Sequence, residues 1–227
     1  MHDLGRNEDR LRGTYEFPFE FHHIDSSHPR YVMSYHWHVE CEIMRVLQGT
    51  LTVTLDEKSF TAKAGDVIFV NSGVLHSGIP QDCIYQCIVF DMNMFLKFNS
   101  ICTEYMQKIS HQELLIYHHF TEKQPDIQRA VNSLFDSFWQ RKPGYELVVF
   151  GQFYHFFGLV FGNHYYLDSQ PKARRDYKRI LQLKQVVEFI EKNYASPLTL
   201  GQLSDSVSMS PKYFCRFFSE MTHQTPM

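Results

Sequence analysis

Apolar and polar residues alternate through much of the first ninety positions of the chain. Tyr15, Phe17, Phe19 and Phe21 fall on one face of an extended segment. Tyr31 to Val46 reads as a strand pair or one long bent strand, and Gln48-Gly49 as a turn. Leu51, Val53 and Leu55 alternate as the next strand. Asp56-Glu57-Lys58 makes a hairpin turn, and Phe60 and Ala62 begin the return. Val67 to Val70 and Ile84 to Phe90 complete the set, with turns at Ala64-Gly65-Asp66 and Asn71-Ser72-Gly73. Short strands with a turn every 8 to 12 residues or so predict a barrel or sandwich. Residues 1 to 14 read as a flexible arm, and His22, His23 and His28 as surface histidines of a polar loop.

Residues 91 to 125 carry a weaker pattern: a short helix near Met94, then irregular structure around His111 to His119. From Asp126 the period changes. Ile127, Ala130, Val131, Leu134 and Phe138 fall at helical spacing, and Lys142-Pro143-Gly144 breaks the helix. These signals predict helices at about 126 to 141 and 144 to 165. The second is apolar almost all round and has no Asp, Glu, Lys or Arg between Glu146 and Asp168. Such a helix must be buried on more than one side. One side is expected to cover the strands and the other, through Phe153 and Phe157, to meet a second copy of the chain. A membrane span is the rival reading. Gly151, Gln152, His155 and Gly158 interrupt the run, which is already near the lower length limit.

Residues 168 to 179 read as an exposed linker. Leu183, Val186, Val187, Ile190 and Tyr194 define an amphipathic helix that Ser196-Pro197 ends. Thr199 with Gln202 is a capping-box signal, and Leu200, Leu203 and Val207 face inward from a short helix. After a tight turn, Ser210 caps a last helix with Pro211 at its first position. Phe214, Phe217, Phe218 and Met221 form its buried stripe. The opposite face carries Lys212, Cys215, Arg216 and Ser219.

Charge adds to this division. Residues 171 to 227 hold nine Lys/Arg against five Asp/Glu, a balance of +4, and the rest of the chain stands at −7. A basic tail on an acidic body suggests an anionic partner for the tail. Five cysteines without a Cys-x-x-Cys pair point to a reducing compartment, and the polar N-terminus lacks an apolar signal region, so a cytoplasmic location is expected.

The candidate chemistry lies in the strands. His36, His38, Glu40 and Glu42 share one face if the segment is extended, with Cys41 opposite. His76 follows a later apolar run that can lie beside them. Histidines and a carboxylate in this grouping suit a mononuclear metal site. The spacing resembles the cupin signature. His36-x-His38, three residues, Glu42, six residues and Gly49 match its first motif. Gly65, Asn71, Gly73 and His76 match the second, with Asn71 where the family has Pro. The resemblance covers roughly residues 20 to 92 and implies a small double-sheet β-barrel with a pocket in its mouth. Three roles stay open for His36, His38, Glu42 and His76: a divalent metal (Zn, Ni, Mn or Fe), a metal-free effector pocket, or buried structural polar groups.

The tail resembles the first helix-turn-helix of the AraC/XylS family of bacterial transcription regulators. Leu198-Thr199-Leu200 through Leu203, Met209 to Phe214, Arg216-Phe217-Phe218 and Thr225-Pro226 carry the likeness. Ser204, Ser208 and His223 depart from it, standing where the family has Ala, a small residue such as Gly, and Gly. The family has a second helix-turn-helix, and this sequence ends at Met227 before it, so half of the DNA-reading surface is expected here.

The fold expected is α+β: a cupin-like effector-sensing and dimerisation domain over residues 1 to 167, with its barrel at about 15 to 92, then the linker and an all-α helix-turn-helix subdomain over 180 to 227. The resemblance implies a homodimeric regulator, not an enzyme. Its barrel binds a small effector, no cofactor is required, and Lys212, Cys215, Arg216 and Ser219 meet DNA. The competing class is a metal-dependent cupin enzyme of dioxygenase or isomerase type, for which three histidines and a carboxylate are also suited. Neither Gly-x-Ser-x-Gly nor Gly-x-Gly-x-x-Gly occurs.

Overall fold

Two fifteen-residue strands, β4 (Cys41–Leu55) and β7 (His76–Phe90), pair antiparallel along their whole length and form the spine of the N-terminal unit. The computed structural model describes residues 6–7, 12–56, 58–97, 101–168, 178–179, 181–183, 185–187, 189–190, 193–194, 196–222 and 225–226. The chain forms two units, Met1–Ser169 and Gln170–Met227. Most of the expected arm (residues 1–5 and 8–11), most of the expected linker (169–177), Glu57 of the expected hairpin turn and His223 lie outside the described residues.

Around the spine run β1 (Arg6–Asn7), β2 (Phe19–Ile24), β3 (Met33–Trp37), β5 (Lys58–Lys63), β6 (Val67–Val70), β8 (Leu114–Ile116), β9 (His119–Phe120) and β10 (Tyr166–Asp168). The main sheet has the order β1-β3-β7-β4-β6-β9, with β2 also on β7 and β5 also on β4. β8 and β10 make a separate antiparallel pair.

The turn expected at Gln48-Gly49 is a bulge inside β4. Gly49 takes φ +67°, the register shifts on either side of Gln48, and β4 runs on to Leu55. A Cβ at Gly49 would stand 2.1 Å from the Asp82 carbonyl oxygen, so only glycine lets the two strands stay paired here. Similarly, β7 begins at His76 and passes through Pro80 long before the apolar run at Ile84.

Alternation sorts the side chains onto two buried faces. Met44, Val46, Leu51, Val53, Tyr85 and Cys87 pack in one buried cluster. Ile43, Phe69, Ile88 and Phe90 face the helices. Because both faces are covered, strands such as β6 are apolar at every position.

Helix α1 (Thr103–Ser110) follows a 3-10 turn at Met92–Leu96. Neither α1 nor the short strands of 114–120 was visible in the hydrophobic pattern. Helices α2 (Pro125–Gln140) and α3 (Tyr145–Gly162) stand where the 3.6-residue period predicts them. The mostly apolar α3 corrects one expectation. Phe153 and Phe157 are wholly buried against Phe19, Phe90 and Phe95, so they fill the core and offer no face to a partner. Leu147 and Val148 are the exposed apolar residues of this helix, at 80% and 45%.

A polar bridge ties α2 to the sheet. The Arg45 guanidinium donates to Gln86 Oε1 (2.8 Å), Asn132 Oδ1 (3.0 Å) and Asp136 Oδ1 (2.8 Å), and lies over the Phe135 ring. Gln86 in turn meets His23 Nδ1 at 3.0 Å. Arg45→Ala removes one partner from each of these bonds, and about 2–3 kcal/mol of stability is expected to go with it in urea unfolding. A loss below about 0.5 kcal/mol, the range of an ordinary surface change, would show the bridge to be dispensable.

In the second unit, helical residues Leu183, Val186 and Ile190 pack with Leu203, Val207, Phe214 and Phe217. Helix α4 (Leu200–Ser206) starts with the capping box: Thr199 Oγ1 accepts from the Gln202 amide and Gln202 Oε1 accepts from the Thr199 amide. Ser208 makes the tight turn with φ +55°, and α5 (Pro211–Thr222) follows. The departure at Ser204 is accommodated, because its buried hydroxyl donates to the Gly201 carbonyl at 2.9 Å.

Candidate metal and effector site

Four side chains from three strands and one bend converge on one side of the main sheet. His36 lies in β3, His38 in the bend after it, Glu42 near the start of β4 and His76 at the start of β7. The β3–β7 register sets His36 opposite His76, and their rings are 4.1 Å apart. One ligand atom from each of the four residues lies within 4.8 Å of the other three.

Each histidine is held in the same way. His36 Nδ1 donates to the Ser34 carbonyl (2.9 Å), His38 Nδ1 to the Glu40 carbonyl (3.0 Å) and His76 Nδ1 to the Val74 carbonyl (2.8 Å). This fixes the proton on Nδ1 and leaves the Nε2 lone pair for the centre. The Nε2 atoms of His38 and His76 are buried and have no hydrogen-bond partner. They stand 3.5 and 3.2 Å from Glu42 Oε2, at ion-pair distance but without hydrogen-bond geometry. Orphaned, oriented nitrogens around a buried carboxylate fit a divalent cation.

Electrostatics agree with that chemistry. Burial alone would raise the Glu42 carboxyl, but His38 and His76 outweigh it and hold the group well below the usual range. Burial first, and then the neighbouring His76, lower His36 to about 4. The set is thus a charged carboxylate with a neutral His36 near pH 7. Glu40, expected with the ligands by parity, is not among them. The strand breaks at His38, so alternation does not carry across the bend, and Glu40 meets His38 Nδ1 through its carbonyl, with its carboxylate 3.8 Å from the same nitrogen.

The turn before His76 explains the Asn in place of Pro. Asn71 Nδ2 donates to the Ile116 carbonyl (2.8 Å), and its Oδ1 accepts from the Ile116 amide (3.0 Å). The side chain thereby pairs with the edge of β8 as a strand would. Gly73 N donates to the His38 carbonyl at 2.9 Å and Ser72 Oγ to the Val39 carbonyl, which locks the turn to the bend that carries His38.

A cavity of about 290 Å³ opens onto the centre, lined among others by Arg12, His22, Met33, His36, Glu42 and Val89. His22, expected on the surface, is in β2 and lies 3.2 Å from Glu20, which also accepts from Arg12 at 2.7 Å. Partial burial would raise Glu20, but His22 and then Arg12 bring it down to about 2. The pairing of β2 with β7 places His22 in this cavity, and no local signal in the sequence marks that pairing.

In the second unit, Lys212 and Arg216 are exposed on α5, while Cys215 and Ser219 are half-buried. Tyr213, not singled out from the sequence, is 48% exposed, and the Arg216 guanidinium lies 5.3 Å from its ring centre. Arg216 also lies 3.7 Å from Glu220.

No helix among the described residues is long and apolar enough to cross a membrane. Compared with curated proteins, the chain is 24% identical over 199 residues to the uncharacterized HTH-type transcriptional regulator YdeC of Bacillus subtilis (strain 168), covering 85% of this chain and 67% of the relative. Among solved structures, Bacillus subtilis oxalate decarboxylase, described with Mn(II) centres, is 25% identical over 26% of this chain and 18% of its own, with a TM-score of 0.25. A conserved Streptococcus pyogenes protein of unknown function is 15% identical, over 32% of this chain and 62% of its own, with a TM-score of 0.28. The chain therefore spans less than two thirds of either solved structure. The sequence model of the AraC-like ligand binding domain matches residues 18–156, more than half of the chain, and the protein belongs to that family.

Proposed function

We propose that this protein is a transcription regulator whose barrel binds a small effector beside a divalent metal, and whose second unit binds DNA. The observation that carries the DNA reading is the arrangement of α4 and α5. A capped helix, a tight turn at Ser208 and a second helix form a helix-turn-helix. Phe214 and Phe217 are buried behind α5, which leaves Lys212 and Arg216 to the solvent. Such a helix suits the major groove, with arginine reading guanine and lysine meeting phosphate. Cys215 and Ser219 flank the two cations on the same side. The protein acts in the cytoplasm as a homodimer, with Leu147 and Val148 of α3 as apolar surface open to a second copy.

His36, His38, Glu42 and His76 would hold the metal. Three nitrogens and one oxygen suit Zn, Ni, Mn or Fe. When bound, a divalent ion would supply positive charge and Lewis acidity beside the cavity. Nδ1 bonds to main-chain carbonyls orient the three rings for it, and the barrel wall limits the access of water.

A second reading is a metal-dependent cupin enzyme, favoured by the opening of the His–Glu centre onto a cavity. A salt titration of the protein on duplex DNA separates the two. The regulator reading expects binding to a duplex enriched from a random pool, with log affinity falling linearly as log salt rises. Binding that is weak, salt-insensitive and equal on enriched and random duplexes would remove the DNA reading and leave the enzyme.

A further inference from the structure

The barrel wall beside the His–Glu centre carries a second polar group. Val89 of β7 pairs with Glu42 of β4 on one side and with Glu20 of β2 on the other. Directly opposed residues share a face of a sheet. Glu20, Val89 and Glu42 therefore form one row across the wall. Cys87 occupies the next inward row, between His22 and Met44. Neighbouring strands are about 4.8 Å apart, so the two ends of the row are separated by roughly 10 Å. One end is the centre. At the other, Arg12 and His22 both contact Glu20, and Arg12 is only 3% exposed. Arg12, His22, Cys87, Val89 and Glu42 all line the same cavity.

We propose that this cavity takes a small organic acid. Its carboxylate sits at the histidine centre, its apolar body lies over Val89 and Cys87, and its far end meets Arg12 and His22. The inference names the effector class and rests on the metal reading above.

Charge argues for an acid. A divalent ion held by three neutral histidines and one carboxylate keeps a net charge of +1 in a place where water is scarce. An anion cancels that charge, whereas a neutral ligand leaves it uncompensated. Of the charged residues lining the cavity, Arg12 and Arg30 are cations and Glu42 is taken up by the centre; Glu20, at the far end, is held by Arg12 and His22. Ser34, Tyr35 and His28 also line the cavity, but its apolar stretch argues against a sugar. Ile24, Met33, Cys87 and Val89 are apolar, and the Tyr85 hydroxyl already donates to the Tyr31 carbonyl at 3.2 Å. A polyol laid there leaves hydroxyls without partners, at about 1–3 kcal/mol each. The cavity, about 290 Å³, is at the small end of ligand sites.

The test uses the whole chain loaded with Co(II), whose visible absorption reports its ligands. Phenylacetate and hexanoate are titrated against their neutral isosteres, phenylacetamide and hexanamide, and against glucose. Both acids are expected to change the Co(II) spectrum and raise the melting temperature, and to bind at least about tenfold more tightly than the neutral compounds. Val89→Trp, which fills the waist of the cavity, should keep its Co(II) and lose at least about tenfold in acid affinity. Should that variant not fold, Cys87→Met narrows the same space with less bulk and should show the same loss. Amides or glucose binding to the Co(II) protein as tightly as the acids overturns the inference and leaves the metal reading intact. Acid binding unchanged in the folded variant does the same. A protein that takes up no Co(II) fails at the earlier step, seen directly by metal analysis, and overturns both.

Discussion

Native protein purified without chelators is expected to carry about one equivalent of divalent metal, and the Glu42→Ala and His76→Ala proteins are expected to lose it. The reason is the geometry of the centre: three rings are held by their Nδ1 atoms with Nε2 directed inward, and the Nε2 atoms of His38 and His76 have no other partner. Removing a ligand should cost at least the 10–100-fold in affinity, or thereabouts, that is typical of removing a residue that only orients one. A metal that binds only the folded chain, at about a hundred times its dissociation constant, would add about 2.7 kcal/mol of stability. Chelation should then lower the melting temperature by about 5–11 °C at roughly 2–4 °C per kcal/mol for a chain of this size. Acid should act in the same direction. His36 falls from its ordinary 6.5 to about 4, so between these values the unfolded chain binds the proton more readily than the folded one. Stability present above pH 6.5 is therefore lost as pH falls toward 4, and protons compete with the metal over the same interval. Native protein with no metal by elemental analysis, and a melting temperature indifferent to chelator, would leave His36, His38, Glu42 and His76 as a metal-free pocket.

The metal candidates could be read from the chain because their spacing is local and their strands are regular at the points that matter. His-x-His followed by Glu42 fits β3, a bend and β4, although for a reason alternation does not supply. The break at His38 removes Glu40 from the set and keeps Glu42 in it. Period alone placed α2, whose buried residues Ile127, Ala130, Val131, Leu134 and Phe138 are those at helical spacing. It could not say which side of α3 is covered, since a helix apolar all round has no marked face. Tertiary packing decides this, and it buries Phe153 and Phe157. Gly49 reads alike as a turn and as a bulge, because each needs a positive φ; only the partner strand at Asp82 separates them. The cavity wall was the least legible part. Arg12, His22 and Val89 come together through the pairing of β2 with β7, between residues more than sixty positions apart, and no short-range pattern encodes such a contact.

Arg216→Ala is expected to weaken binding to an enriched duplex by about 1–3 kcal/mol, or roughly 5- to 150-fold, and to relax preference at one base position. The expectation follows from how α5 is held. Phe214 and Phe217 fix the helix against its own unit, so Arg216 projects from a rigid support. Stacking on Tyr213 and the 3.7 Å approach to Glu220 order the guanidinium before DNA arrives, which lowers the entropy lost on contact. The Glu220 contact also opposes binding, since that carboxylate must give up part of its partner's charge. Glu220→Gln should therefore tighten binding modestly on every sequence while Arg216→Ala loosens it selectively. Lys212 has no such ordering contact among the described interactions and is exposed, as suits a phosphate ligand. Lys212→Ala should weaken all duplexes alike and reduce the salt slope by about one. The decisive contrast is between the two cations. A helix that reads sequence gives one selective and one uniform loss, whereas a merely basic surface gives two uniform losses of similar size. Two uniform losses would mean that α5 attracts DNA without reading it, and the specificity of the protein would have to be sought elsewhere.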